Sequence, residues 1–285
     1  MSDDLLQRFI FEDTDIRGEL ARLRQSYLDT VSSHRYPAPV AQLLGEFLAA
    51  AALLSATLKF EGTLTLQARS RGQVPLIMAE ITSERRLRGI ARDADLADSD
   101  DFHTLLADGQ LAITITPARG QRYQGIVPLD GDNLAQCLEG YFRQSEQLAT
   151  RLWLHCDGER ATGMLLQELP VSAGGDAETR ADQWQHATTL ADTLTATELA
   201  DLPFEAILHR LYHRDPVRLF DPQPLQFQCS CSATRTLDAL RTLGQEELLT
   251  IIAEQGAIDI NCEFCHQHYH FTERDVRGLF DNTVH

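Results

Sequence analysis

Near the C-terminal end of the 285-residue chain, four cysteines stand in two close pairs, Cys229-Ser230-Cys231 and Cys262-Glu263-Phe264-Cys265, thirty residues apart. Thiolates are soft, charged donors, and two such pairs at this distance suit a tetrahedral four-thiolate zinc site. Residues two apart in an extended segment point to the same side, so both thiols of a C-x-C can face one ion. A C-x-x-C turn can do the same. The residues between carry helical apolar spacing (Leu237, Leu240, Leu243, then Leu248, Leu249, Ile252) and predict helices that hold the two halves together. A tail of 61 residues, 225–285, has little core of its own. A structural zinc contributes about 10–16 kcal/mol of apparent binding free energy to small metal-folded units, so the ion is expected to be most of what keeps this tail folded. Spacing alone favours a static zinc knuckle. Zinc-bound thiolates stay nucleophilic toward oxidants, however, which leaves a redox role open.

Competing chemistries fit less well. Cys262-Glu263-Phe264-Cys265-His266 spells the C-x-x-C-H pattern of c-type haem attachment, but that chemistry needs export and leaves Cys229 and Cys231 unexplained. A C-x-x-C thiol oxidoreductase would sit in a βαβ context, which is missing here. His266, His268 and His270 crowd the cysteines and could each replace a ligand. With four thiols available, they are expected to lie behind the ligands or on the surface. Cys137 falls on a helical pattern and Cys156 in a strand, as buried core thiols do. His209 and His213 lie four apart with Asp215 nearby, half a metal site at most, and are expected to be exposed helical histidines. No P-loop, G-x-G-x-x-G after a strand, G-x-S-x-G or H-E-x-x-H occurs, so no enzyme is predicted.

The elements that must carry this tail read as a mixed fold. Apolar residues make up 43% and charged residues 24%, an ordinary globular balance. The formal charge of −17 argues against nucleic acid or an anionic membrane as a partner, since both repel it. Residues 1–15 open with two aspartates and lack a basic, then apolar, signal, which predicts a cytoplasmic protein with reduced thiols. Residues 40–60 are the most apolar stretch. Their longest charge-free run, 47–58, falls short of the roughly 18–20 residues of a membrane span, so a buried helix is expected. Helical spacing over 20–33 stops at Tyr36-Pro37-Ala38-Pro39. Strands are predicted at 63–67, 76–81, 87–91, 111–116, 122–127, 152–156 and 164–169, with a helix over 134–147. Mixed order without βαβ alternation favours α+β.

Around residues 170–176 the composition changes. From 171 to 205 there are seven acids and one base, Arg180, while large apolar residues are thin. A linker followed by an acidic, weakly amphipathic helical stretch to about Tyr212 is expected. It is either a solvated surface helix pair or a segment folded only by docking. Residues 219–224 mark a second boundary. The expected organisation is an α+β domain (1–172), a helical linker (173–224) and a small zinc-binding α+β domain (225–285).

The cysteine pattern resembles the heat shock protein 33 family of redox-regulated chaperones. So do Leu43-Leu44-Gly45-Glu46, Thr57-Leu58-Lys59-Phe60-Glu61-Gly62 with the chain's only lysine, Leu87-Arg88-Gly89-Ile90-Ala91-Arg92, Ile113-Thr114-Ile115-Thr116-Pro117, Arg122-Tyr123-Gln124-Gly125 and Tyr141-Phe142-Arg143-Gln144-Ser145-Glu146-Gln147-Leu148. The resemblance implies that Cys229, Cys231, Cys262 and Cys265 hold one Zn2+ when reduced. It implies that oxidation pairs Cys229 with Cys231 and Cys262 with Cys265, with loss of zinc. The tail and the metastable linker then unfold, exposing apolar surface that holds unfolding client proteins without ATP. The active form implied is a homodimer. A C-x-x-C thiol oxidoreductase and a static zinc-ribbon binding module are the alternatives. Nine acids against four arginines in residues 225–285 already count against a nucleic-acid module.

Overall fold

The computed structural model describes residues 4–57, 61–170 and 176–281. The end of the expected 40–60 helix and most of the expected 170–176 linker lie outside them. The chain divides into two compact units, Met1–Gln228 and Cys229–His285.

In the first unit, β1 (Leu5–Phe11) and β2 (Ile16–Leu23) form a hairpin, followed by α1 (Gln25–Ser32) and α2 (Ala38–Thr57). Three strands come next, β3 (Gly62–Arg69), β4 (Leu76–Thr82) and β5 (Arg86–Arg92), then the single turn α3 (Phe102–Leu105). The strands β6 (Gln110–Pro117) and β7 (Tyr123–Pro128) precede α4 (Leu134–Tyr141), β8 (Thr150–Cys156) and β9 (Ala161–Glu168). The helices α5 (Ala177–Ala191), α6 (Ala196–Asp201) and α7 (Phe204–Tyr212) lead into the short strands β10 (Val217–Leu219), β11 (Gln223–Pro224) and β12 (Gln226–Phe227). One sheet has the order β10-β1-β2-β9-β8, with β11 also paired to β1. The other has the order β12-β5-β4-β3-β6-β7, antiparallel except where β12 joins β5. The fold is α+β, as expected.

The helix α2 is long and apolar enough to cross a membrane by length and composition, yet 67% of its apolar window is buried in the fold. It packs against strands of both sheets, which explains why it is apolar all round rather than striped. Gly45 permits the closest approach: a Cβ there would meet Cys156 Sγ at 2.5 Å.

The strand readings at 63–67 through 164–169 correspond to β3–β9. One expectation fails and one strand goes unread. Residues 20–33 are not one helix, because Leu20 to Leu23 belong to β2 and only Gln25–Ser32 is helical. The strand β1 had no sequence signal. Both errors share a cause. The first sheet is covered on both faces, by α2 on one and α5–α7 on the other, so β1 and β2 lose the apolar–polar alternation of a half-exposed strand. The expected helix over 134–147 holds through Tyr141, then widens into a π-type turn, Phe142–Glu146, that ends at Gln147 in the left-handed region.

The acidic stretch folds as helices docked on the first sheet. Phe204, Ile207, Leu208, Leu211 and Tyr212 bury against Phe9, Phe11, Leu20, Met164 and Leu166. The sheet's arginines reach across: Arg22 to the carbonyls of Leu199 and Leu202, Arg151 to Asp192 at 2.8 Å and Arg160 to Asp201 at 3.0 Å. The helix α5 fully buries only small residues, Ala187, Thr188 and Ala191, with Trp184 and Leu190 half-buried against the same cluster, so its docking is shallower than that of α7. Ile207→Ala removes a buried anchor at a cost of about 2–5 kcal/mol. Hydrogen exchange is expected to speed up across α5–α7 and to stay unchanged in α2.

Glu46 on α2 lines a cleft with Leu152, Trp153, His155, Leu194 and Leu199, and burial pushes its carboxyl up to about 7. A carboxyl raised in the folded state costs nothing below its ordinary value. Above that value stability falls as pH rises, and the full penalty is reached once pH passes about 7. Glu46→Gln is therefore expected to leave urea denaturation unchanged near pH 4 and to add about 3 kcal/mol near pH 8.

Candidate metal centre

The second unit is small. Its helices α8 (Ala233–Leu240), α9 (Gln245–Gln255) and α10 (Glu273–Asp281) surround the hairpin β13 (Ile258–Asn261) and β14 (His268–Phe271). Only Leu248, Ile252, Ile258, Phe271 and Val276 are buried in its apolar cluster, with Leu237, Leu240 and Tyr269 half-covered beside them. Leu243, expected on the packed face, is exposed at 47%. It lies in the short turn Arg241–Leu243 before Gly244 interrupts the helical path.

The hairpin tip is the C-x-x-C turn. The His266 N–H donates to the Cys262 carbonyl at 2.8 Å, and the Cys262 N–H donates to the Gln267 carbonyl at 2.9 Å. His266 sits at φ 54° to let the chain re-enter β14. Cys229 and Cys231 lie in the segment just before α8, where Ser232 caps the helix. Arg235 donates to the Ser230 carbonyl at 2.8 Å and fixes the loop between the two thiols.

All four Sγ atoms lie within 4.8 Å of one another, with Cys229 and Cys262 at 3.6 Å and Cys231 and Cys265 at 3.5 Å. Zinc–sulfur bonds of about 2.3 Å arranged tetrahedrally put the sulfurs roughly 3.8 Å apart, so the four fit one zinc ion. The electrostatics agree. Burial, then the neighbouring thiols, push Cys265 above the ordinary thiol range, against one favourable backbone N–H from Gln267. A cation is what lets crowded thiols ionise together. The Tyr269 hydroxyl donates to Cys231 Sγ at 3.0 Å, a supporting contact that the spacing of cysteines does not reveal.

The other candidates separate from this group. Cys137 and Cys156 are buried in the first unit, and burial raises both thiols, Cys156 to about 11. They are core thiols, as expected. The rings of His209 and His213 stand 6.0 Å apart, while Asp215 pairs with His186 at 3.1 Å. They form no three-donor group among the described residues. No histidine joins the four sulfurs in that grouping.

Comparison with known proteins places the geometry in context. A family model described as Hsp33 protein matches residues 4–272. The chain is 55% identical over 281 residues to the 33 kDa chaperonin of Ectopseudomonas mendocina, covering 98% of this chain and 95% of that protein. It is also 55% identical over 280 residues to the 33 kDa chaperonin of Pseudomonas aeruginosa strain PAO1, covering 97% and 94%. The fold is similar to the crystal structure of the 33 kDa chaperonin, heat shock protein 33 homologue, from Thermotoga maritima, with a TM-score of 0.84, 19% identity and 99% of each chain covered.

Tyr269→Phe removes the hydroxyl donor and leaves the four sulfurs in place. Zinc affinity is expected to fall by roughly 10-fold, read by chelator competition, with circular dichroism of the metal-loaded protein unchanged.

Proposed function

The chain belongs to the Hsp33 family, whose curated relatives are named 33 kDa chaperonins, and from that premise of chaperone activity we propose a redox-regulated, ATP-independent holdase. Cys229, Cys231, Cys262 and Cys265 hold one Zn2+ in the reduced, inactive state. The observation that carries this reading is a cluster of four thiols within 4.8 Å in a unit whose apolar cluster buries only five side chains. Zinc bound there supplies cross-linking that so small a core cannot.

The switch follows from linkage. A ligand that binds only the folded tail stabilises it, and losing that ligand returns the free energy. Peroxide takes two electrons from each cysteine pair, forming the disulfides 229–231 and 262–265 and water. The donors are then gone, and the tail unfolds with loss of the ion. Residues 173–224 act as the metastable linker. The shallower docking of α5, which fully buries only Ala187, Thr188 and Ala191 and leaves Trp184 and Leu190 half-exposed, supports that role. Its release uncovers the apolar face formed by Phe9, Phe11, Ile16, Met164 and Leu166, on which residues 1–172 hold unfolding clients. The active form is a homodimer in the cytoplasm, without nucleic acid, membrane or enzymatic turnover.

The test is to treat zinc-loaded protein with peroxide at heat-shock temperature and add a heat-denaturing client. Light scattering is expected to be suppressed by the oxidised protein alone, with one zinc and four thiols lost together. Equal suppression by reduced protein would sink the proposal. Insulin reduction that depends on Cys262 but not Cys229 would indicate an oxidoreductase, and zinc retained through oxidation a static knuckle. Peptide mapping separates the proposed disulfides from 229–262 and 231–265 cross-links.

A further inference from the structure

The hairpin that carries the C-x-x-C turn has two chemically different faces. Ile258, Ile260, Tyr269 and Phe271 point into the apolar cluster. Asp259, Asn261, His268 and His270 share the other face and are exposed. The register sets Asp259 opposite His270 and Asn261 opposite His268. Strand periodicity keeps each same-strand pair on one side. One carboxylate and two imidazoles therefore converge on the solvent face, each offering a donor atom within 4.8 Å of the others.

The donor atoms already contact one another, His270 Nδ1 through a hydrogen bond to the Asp259 carboxylate. Asp259 Oδ1 lies 3.0 Å from His268 Nε2 and 2.9 Å from His270 Nδ1. Metal–ligand bonds of about 2.1 Å place neighbouring donors at right angles roughly 3.0 Å apart, so one cation capping the three atoms needs little rearrangement. Asn261 Oδ1 lies 3.0 Å from His268 Nδ1. An amide oxygen only accepts, so Nδ1 donates to it; Nε2 faces the Asp259 carboxylate, likewise only an acceptor, and a bound cation would replace the proton held between them. An outer acceptor that fixes the imidazole tautomer and ring orientation is a regular feature of histidine ligation.

We propose that Asp259, His268 and His270 form a second metal site, distinct from the four thiols, that binds a divalent first-row transition metal ion. Two nitrogens and one oxygen select zinc, nickel, cobalt or ferrous iron over calcium or magnesium. Three donors on an open face leave the remaining positions to water. The thiol group lies on the other side of the hairpin, where Tyr269 reaches Cys231. An ion at the new site ties β13 to β14 without using a cysteine.

The experiment uses full-length reduced protein holding one zinc, titrated with Ni2+ by calorimetry and followed by imidazole resonances in NMR spectra. One further equivalent is expected to bind, with the His268 and His270 resonances shifting together. Asp259→Asn and His270→Leu are each expected to weaken binding by at least roughly 10-fold, while thiol and zinc counts stay unchanged. The double variant His209→Asn/His213→Asn is expected to bind like the parent. Binding unaffected by Asp259→Asn and His270→Leu, no further equivalent, or loss of binding in the His209/His213 variant would each overturn the proposal.

Discussion

The second unit of this chain has to fold around four sulfur atoms because it has little else to fold around. Six buried apolar side chains among the described residues of a unit of under sixty do not offset the conformational entropy of ordering it. The thiols alone do not help, since burial and the neighbouring sulfurs oppose ionisation of Cys265. In the proposed reading a dication supplies the missing free energy and reverses the electrostatics in one step. The same dependence would make the unit sensitive to anything that consumes thiolates, so that stability and responsiveness would come from a single set of bonds.

The first unit is built on the opposite principle. The helix α2 lies between two sheets and is buried on most of its surface, so this half has a large core independent of any ion. The acidic helices α5–α7 are held to it by a mixture of interactions. The apolar contacts of α7 are fully buried, those of α5 are partly exposed, and the arginines of the sheet and its turn answer the carboxylates and helix-end carbonyls. Exposed ion pairs of this kind are worth little individually. A segment carrying seven acids and one base can thus be folded and still lie near the low end of the protein's local stabilities. This gives part of the arginine content a structural account that composition did not suggest.

Much of the architecture was legible where the physics is local. The hairpins β3–β4 and β6–β7 alternate because one of their faces is wetter than the other, and α2 reads as a buried helix because it has no polar face. The metal centre was legible because each cysteine pair is defined within three or four residues. β1 and the first part of β2 were not, because covering both faces of the first sheet erases the strand period. Leu243 was assigned to a packed face because Gly244, which ends the helical path after it, is invisible to a count of leucines. The Tyr269 donor and the Asp259–His268–His270 group were hidden for a related reason. They depend on the register of β13 against β14, and strand register is a pairing between segments.

By itself, the sequence determined that the chain is α+β, that its tail carries a four-thiol group suited to zinc, and that its middle is acidic and sparingly apolar. Those properties reside in residue types and short spacings, which no folding step alters. Only the tertiary structure decided which face of the first sheet the acidic helices cover and which arginines receive them. It also decided that one face of the terminal hairpin serves the sulfurs while the other gathers a carboxylate and two imidazoles. Such facts are relations between distant segments, set by packing and register, and a linear chain does not contain them until it closes on itself.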